Sequence, residues 1–298
     1  MATFKTYDAI GNREDLTNVI YDISPTETPF MSTVGKSTAK ATYHEWQTDS
    51  LTDAVSDNAA VEGADATYGT LAPTTRVGNY TQIMQKTVQV SNTQDKVDKA
   101  GRNKETAYQL TKASSELKRD IEKTMLSANT QEAGNSSTAR QFGAIQSWLT
   151  SNVVDTAGAP ITETMLKEAV LDAYTAGGSP SMLLVSPATK QVVSTFPGIA
   201  VQRYQAPTTG QTKIVGAADV YMSDFGTLSV VPDRFIDDDV SLVLDPSFFS
   251  VAYLRPFQQT ALAKTGDSTK HQMLTELTLQ VKNEASSAIM KTVPVPTP

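Results

Sequence analysis

The chain has 298 residues, 39% of them hydrophobic, enough apolar material for one large domain or two smaller ones and too much for a disordered protein. It has no cysteine, which excludes disulfides, thiolate metal sites and cysteine nucleophiles together. Thirty-two acidic side chains against 25 basic ones give a net charge of -7, which argues against a general nucleic-acid binder with a broad basic face. The N-terminus lacks the pattern of a signal peptide, and no apolar run approaches the roughly 18 residues of a membrane-spanning helix.

Residues 1–36 read as an arm. Leu16, Val19, Ile20 and Ile23 suggest a short amphipathic helix, and Ser24-Pro25-Thr26-Glu27-Thr28-Pro29 then forces an extended path, because each proline disfavours helix at the residue before it. So little apolar surface cannot fold alone, so the arm is expected to lie on another surface. Residues 37–82 follow as an extended loop that opens with Tyr43, His44, Glu45 and Trp46 and returns through Arg76, Tyr80 and Ile83. Between Gln47 and Thr75 there is no Lys or Arg, while Asp49, Asp53, Asp57, Glu62 and Asp65 are spread among small residues. As a two-legged excursion of about 18 residues per leg it reaches about 60 Å at ~3.3 Å per residue. A compact body of this length has a radius of gyration of only ~19 Å. An isolated ribbon is marginal in water, so one this long implies a partner surface.

Residues 83–159 are expected to form a domain built on a long helix. Gln82 to Ser91, rich in Ile, Val and Thr, reads as the strand leading into it. From Asn103, a plausible N-cap, to Asn129 no Gly or Pro interrupts the chain, and Leu110, Ala113, Leu117, Ile121 and Met125 line one face at helical spacing. About 24 residues at ~1.5 Å each span roughly 36 Å. The opposite face carries Lys112, Glu116, Arg119, Asp120 and Lys123, with Glu116 and Arg119 one turn apart. Between Lys96 and Lys123 basic residues outnumber acids, so the helix is basic within an acidic chain. A loop at Gly134–Thr138 and a short apolar piece at Phe142, Ile145, Trp148 and Leu149 follow, and Thr150 to Pro160 reads as a linker.

Residues 160–245 read as a second α/β unit. Thr162 caps a helix with Met165, Leu166, Ala169, Val170 and Ala173 on one face, closed by Gly177 and Gly178. Met182 to Val185 is a buried strand, and Ser186-Pro187 starts a helix ending at Pro197-Gly198. Gln202 to Gln211 is a loop. Strands are expected at Val220–Ser223, Thr227–Val231 and Ser241–Leu244, with a turn at Asp224, Phe225 and Gly226. Residues 246–298 then return through strands at Phe249–Leu254 and Leu277–Val281 to an extended, proline-rich tail at Val293–Pro298.

No site chemistry survives inspection. Gly35-Lys36-Ser37 resembles part of a phosphate loop, but Phe30 stands where the first glycine is needed, so the backbone nest cannot form. His44 and His271 lack local acidic ligand spacing. Asp237, Asp238 and Asp239 offer hard oxygens but read as a solvated turn. Asn79 and Thr81 frame a glycosylation-type triplet that means nothing without secretion. Several segments that one chain cannot satisfy, and no site, favour an assembly protein over an enzyme.

Three stretches together, Ile23-Ser24-Pro25-Thr26-Glu27-Thr28-Pro29-Phe30, His44-Glu45-Trp46-Gln47-Thr48-Asp49 and Val61-Glu62-Gly63 ahead of the long helix, resemble the major capsid proteins of tailed bacteriophages. The resemblance implies an α+β fold of the Hong Kong ninety-seven type: arm, extended β-hairpin loop, peripheral domain on a spine helix, and axial domain. It implies copies assembled as hexamers and pentamers into an icosahedral head shell around double-stranded DNA, bound without sequence specificity, with no cofactor and no membrane. Trp46, Leu51, Val55, Val61 and Leu71 would lie on a neighbouring subunit, Pro25, Pro29 and Phe30 would anchor the arm across an adjoining one, and Gln202 to Gln211 would approach the capsomer axis. Leu110, Leu117, Ile121 and Met125 would form the spine's core face, packed on the Gln82–Ser91 strand and the C-terminal strands. Some members crosslink through a lysine in the extended loop, and the loop here has none between Gln47 and Thr75, so a non-covalent shell is expected. The arm begins almost at Met1, which implies a separate scaffold protein; a portal and decoration proteins are further expected partners. Assembly is expected in the host bacterial cytoplasm and residence in the virion. The competing readings are another ring-forming phage component, such as a decoration or tail protein, and a carboxylate-based hydrolase using Glu45 and Asp49.

Overall fold

A computed structural model describes residues 27–98, apart from 64, 66, 67, 70 and 72, together with residues 104–196 and 220–292. In chain order these hold α1 (Pro29–Thr33), β1 (Gly35–Thr38), β2 (Tyr43–Thr48), β3 (Thr75–Tyr80), β4 (Gln82–Ser91), α2 (Asn92–Lys96), α3 (Glu105–Met125), α4 (Ile145–Trp148) and β5 (Val153–Asp155). There follow α5 (Glu163–Thr175), β6 (Met182–Val185), α6 (Pro187–Val193), β7 (Val220–Ser223), β8 (Gly226–Pro232), β9 (Val240–Leu244), β10 (Phe249–Ala261), β11 (Ser268–Val281) and β12 (Ala288–Lys291).

Two sheets carry the architecture. The first runs β1-β10-β11-β4, with β1 parallel to β10 and the other pairs antiparallel. The long helix α3 packs on it against β4 and β11. The second runs β5-β12-β9-β6-β8-β7. Its central strands β6 and β9 are buried at every position, as continuous apolar runs must be when both faces are covered. Period two then divides their side chains. Met182, Leu184, Leu242 and Leu244 join Phe30, Leu117, Ile121, Met125, Phe249 and Leu279 in one core. Leu183, Val185 and Val243 join Leu166, Ala169, Val170 and Val193 from α5 and α6 in another.

Local chemistry sets the helix starts. The Thr162 hydroxyl accepts the Met165 N–H at 3.3 Å at the head of α5, and Ser186 accepts the Thr189 N–H at 3.2 Å ahead of Pro187 in α6. At the end of α5, Gly178 presses against Ser286, where an added Cβ would stand 2.2 Å from its carbonyl oxygen. The spine helix is shorter than the 103–129 expected: it ends at Met125, and the Asn129 carbonyl instead accepts the Ala144 N–H at 2.9 Å, tying the chain to the next loop. Asn103 lies outside the described residues, and Lys104 occupies the cap position without a side-chain hydrogen bond. Glu116 pairs with Lys112 rather than with Arg119, whose guanidinium lies over the Phe235 ring.

Strand pairing crosses the expected domain boundaries. β5 lies inside the stretch read as a linker and pairs with β12, so both the 83–159 and 246–298 segments contribute to the second sheet. β1 begins within the segment read as a free arm. β10 and β11 run 13 and 14 residues, well beyond Leu254 and back before Leu277. Their outer halves alternate Gln, Thr, Lys and His and so carry no apolar period. They are strands because β4 pairs along β11 from Ser91 to Gln82. The β10–β11 register slips twice between Tyr253 and Gln258, around Pro256, which has no N–H to give. The Pro197-Gly198 stop, the Gln202–Gln211 loop and the tail from Val293 lie outside the described residues.

Candidate assembly interface

β2 and β3 form a two-stranded antiparallel ribbon in which Tyr43 faces Tyr80 and Thr48 faces Thr75. The ladder is six residues per strand, about 20 Å at ~3.3 Å per residue, a third of the two-legged reach expected. Two cross-strand contacts hold it. The Tyr43 and Tyr80 rings sit 4.5 Å apart, and Arg76 Nε donates to Glu45 Oε1 at 2.7 Å. The Arg76 hydrogen bond keeps the Glu45 carboxyl below its ordinary range, so the residue offered as a hydrolytic acid is a committed ion-pair partner. Gly78 lies where the strands approach closely: a Cβ there would stand 2.9 Å from the His44 carbonyl oxygen and 2.8 Å from Glu45 Cγ.

The root of the ribbon is fixed to the body. Asn79 is fully buried; its carboxamide donates to the carbonyls of Gly143 at 2.9 Å and Leu279 at 2.8 Å and accepts the Gly143 N–H at 2.8 Å. Two residues on, Thr81 Oγ1 donates to buried Glu276 at 2.9 Å, and Arg140 and Arg255 close on the same carboxylate. Burial pushes the Glu276 carboxyl up, but the Thr81 and arginine donors outweigh it and hold it below the ordinary value of 4.5. Trp46, half-buried, packs against Trp148 at 5.7 Å within the same chain, so it belongs to this root rather than to the free loop.

Beyond the ladder the chain changes character. Among the described residues between Asp49 and Thr74 there is no strand or helix, and Leu51 is 98% exposed, Val55 71%, Val61 81%, Tyr68 96% and Leu71 93%. Tyr68 is not among the contacts that the resemblance implies; its signal in the sequence is a lone tyrosine in a stretch of small residues. Singly exposed apolar residues need no explanation; five of them on one segment tethered by a rigid root do.

The arm departs from expectation. Phe30 is completely buried in the chain's own core, edge-on to Phe249 at 6.2 Å, so it cannot contact an adjoining subunit. Met31 and Val34 are buried with it, Pro29 is half-buried, and Pro25 lies outside the described residues. The Phe30 and Met31 N–H groups donate to the two oxygens of Glu122, at 2.6 and 2.9 Å. On the spine Leu117, Ile121 and Met125 are buried and Leu110 is half-buried. Its basic face is partly spent within the chain, Lys123 on Asp237 and Lys112 on Glu116, while the acid Asp120 on the same helix takes Lys86 of β4 at 2.8 Å. Among the described residues no group of three or more His, Cys, Asp or Glu is placed to hold a metal ion.

Comparison with known proteins agrees with this geometry. The profile of the SU10 major capsid protein family matches residues 3–294. The major capsid protein of Escherichia phage Phieco32 is 29% identical, the match covering 97% of this chain and 96% of that one. A solved structure from Gordonia phage Cozz superposes with a TM-score of 0.65 at 9% identity, over 95% of this chain and 92% of that chain. The capsid of a native GTA particle superposes with a TM-score of 0.62 at 12% identity, over 97% and 98%.

Proposed function

Since the chain belongs to the SU10 major capsid protein family, with the Hong Kong ninety-seven type fold, we propose that the Asp49–Thr74 loop is the surface by which each copy grips its neighbour in an icosahedral phage head. The chain is a structural protein of the virion whose copies assemble with one another. The observation that carries the reading of the loop is its exposure: Leu51, Val55, Val61, Tyr68 and Leu71 stand in solvent on a ribbon whose root is locked by Asn79. A neighbouring copy is the surface that buries them. The copies form hexamers and pentamers, assembled in the host cytoplasm, and enclose double-stranded DNA without reading its sequence. The family likeness supports a scaffold protein, a portal and decoration proteins as further partners. The loop carries no lysine, which supports a shell without side-chain crosslinks. The chain itself acts without catalysis: Glu45 is held by Arg76 rather than poised at a cleft.

Deletion of residues 51–71 tests this. The shortened protein is expected to keep its circular dichroism and cooperative unfolding, because both cores lie elsewhere, and to form no shells in negative-stain microscopy. Shells assembled from the shortened chain would overturn the assignment.

A further inference from the structure

Beneath the arm lies a carboxyl pair that neither the ribbon nor the sheets require. α1 is five residues long and receives no side-chain cap from Thr28. Its first N–H groups go instead to Glu122, 91 and 92 residues away, each taking one carboxyl oxygen. Glu122 is fully buried, and so is Asp233, which faces it from the segment leaving β8. Asp233 Oδ1 accepts the Phe235 N–H at 2.7 Å, while Oδ2 is buried and receives no N–H or side-chain donor. The cations nearby are turned elsewhere. Lys123, on the same helix, favours the charged form of Asp233 but pairs with Asp237, and Arg119 lies over the Phe235 ring at 5.7 Å. Of α1, only the backbone N–H groups of Phe30 and Met31 bond the pair. Two carboxylates so placed would repel in a site that water does not reach. One proton between them satisfies the orphaned oxygen and removes the repulsion.

We propose that Glu122 and Asp233 share one proton and form a latch tying the arm helix α1 and the spine helix α3 to the segment leaving β8, closed while the proton is held and loosened when it is withdrawn. On withdrawal the carboxyl O–H bond breaks, the proton passes to water or a buffer base, and two carboxylates remain. The three segments it joins come from both sheet systems and meet in one core through Phe30, Ile121 and Ile236, so the latch governs how firmly the root of the arm is seated.

Burial pushes the Glu122 carboxyl up from 4.5 to about 8, with the adjoining Asp233 adding to the rise. Burial raises Asp233 too, and the two titrate as a pair. The folded value lies above the unfolded one. The latch's contribution is therefore complete below about pH 4.5, declines through the interval and is gone above about pH 8.

Hydrogen exchange of the purified full chain reads this directly, followed by mass spectrometry on the peptide containing Phe30 and Met31. After correction for intrinsic exchange, the opening constant of that peptide is expected to rise by up to about tenfold per pH unit between about pH 5 and pH 8, then level off. In Asp233→Asn the side-chain amide donates to Glu122 in place of the proton, and the rise should flatten or reverse. A wild-type profile without pH dependence, or an Asp233→Asn profile rising like the wild type, overturns the proposal. If Asp233→Asn fails to fold, infrared difference spectra of the wild type across the same range decide. They should lose a protonated-carboxyl band as pH rises, and absence of that band overturns the latch.

Discussion

The arm helix and the loop that follows it were both expected to reach a neighbour, and the chain treats them in opposite ways. At α1 a single helical turn and the extended Val34 that ends it bring the apolar residues Phe30, Met31 and Val34 into one core, and a buried carboxylate meets the N–H groups that the turn leaves unpaired. In the loop, Leu51, Val55, Val61, Tyr68 and Leu71 follow no period and no regular element aims them at one surface. A short apolar segment is captured by its own core where its backbone polar groups are met as well as its side chains. Where they are not, its apolar side chains are left for another chain.

The sharpest way to break that contrast is a pair of alanine substitutions. Phe30→Ala removes a fully buried ring and is expected to cost about 3–5 kcal/mol in urea unfolding of the unassembled chain. Leu51→Ala, at a position 98% exposed, should unfold within about 0.5 kcal/mol of wild type yet lower the yield of shells. A stable Phe30→Ala, or a Leu51→Ala that unfolds early, would place the two segments in the wrong classes.

A second pair compares buried glutamates. Glu276 lies under the ribbon root with Thr81, Arg140 and Arg255 around it, whereas Glu122 faces another acid. The donors hold the folded Glu276 value below 4.5, so its contribution is complete above about pH 4.5 and is lost as pH falls through the folded value. Glu122 runs the other way. Glu276→Gln should cost about 1–3 kcal/mol at neutral pH and remove part of the acid limb of the stability profile. An unchanged acid limb in Glu276→Gln would mean that the clamp does not secure the root.

What the sequence discloses about these elements follows how local their causes are. β4 reads correctly from Gln82 to Ser91, and α5 and α6 from Thr162 and Ser186-Pro187, because alternation and caps are settled within a few residues. β12 and β5 do not, since three or four residues become strands only by finding each other across more than a hundred positions. The outer halves of β10 and β11 are strands for the same non-local reason. In the sequence Glu122 is one acid among several on an amphipathic helix. Its neighbour Ile121 and its spacing to Met125 put it beside the apolar stripe, where a carboxylate must find donors. Asn79 reads as part of a modification triplet and is a buried clamp, a distinction visible only once Gly143 and Leu279 come alongside.

Within the ribbon, Gly78 separates packing from pairing. Gly78→Ala places a methyl against the His44 carbonyl, which belongs to backbone and cannot swing aside, and a cost of about 1–3 kcal/mol is expected in thermal unfolding. If the substitution is neutral, the two strands are looser at the root than the Tyr43–Tyr80 contact indicates.

The smallest effect belongs to the diagonal ion pair between Glu45, which stands opposite Gly78, and Arg76, two residues farther out. Glu45 and Arg76 are solvent-exposed, and such pairs contribute little to folding, so Glu45→Ala should leave the unfolding midpoint unchanged. Its role is to align two strands whose tip must meet another subunit. Glu45→Arg, which sets two guanidiniums across the ladder, should therefore reduce shell formation, and the exchange Glu45→Arg with Arg76→Glu should restore it. Rescue by the exchange, with stability flat throughout, would show that the ribbon's charge pair fixes direction rather than fold. Equal assembly of all three variants would show that the Asn79 clamp alone aims the loop.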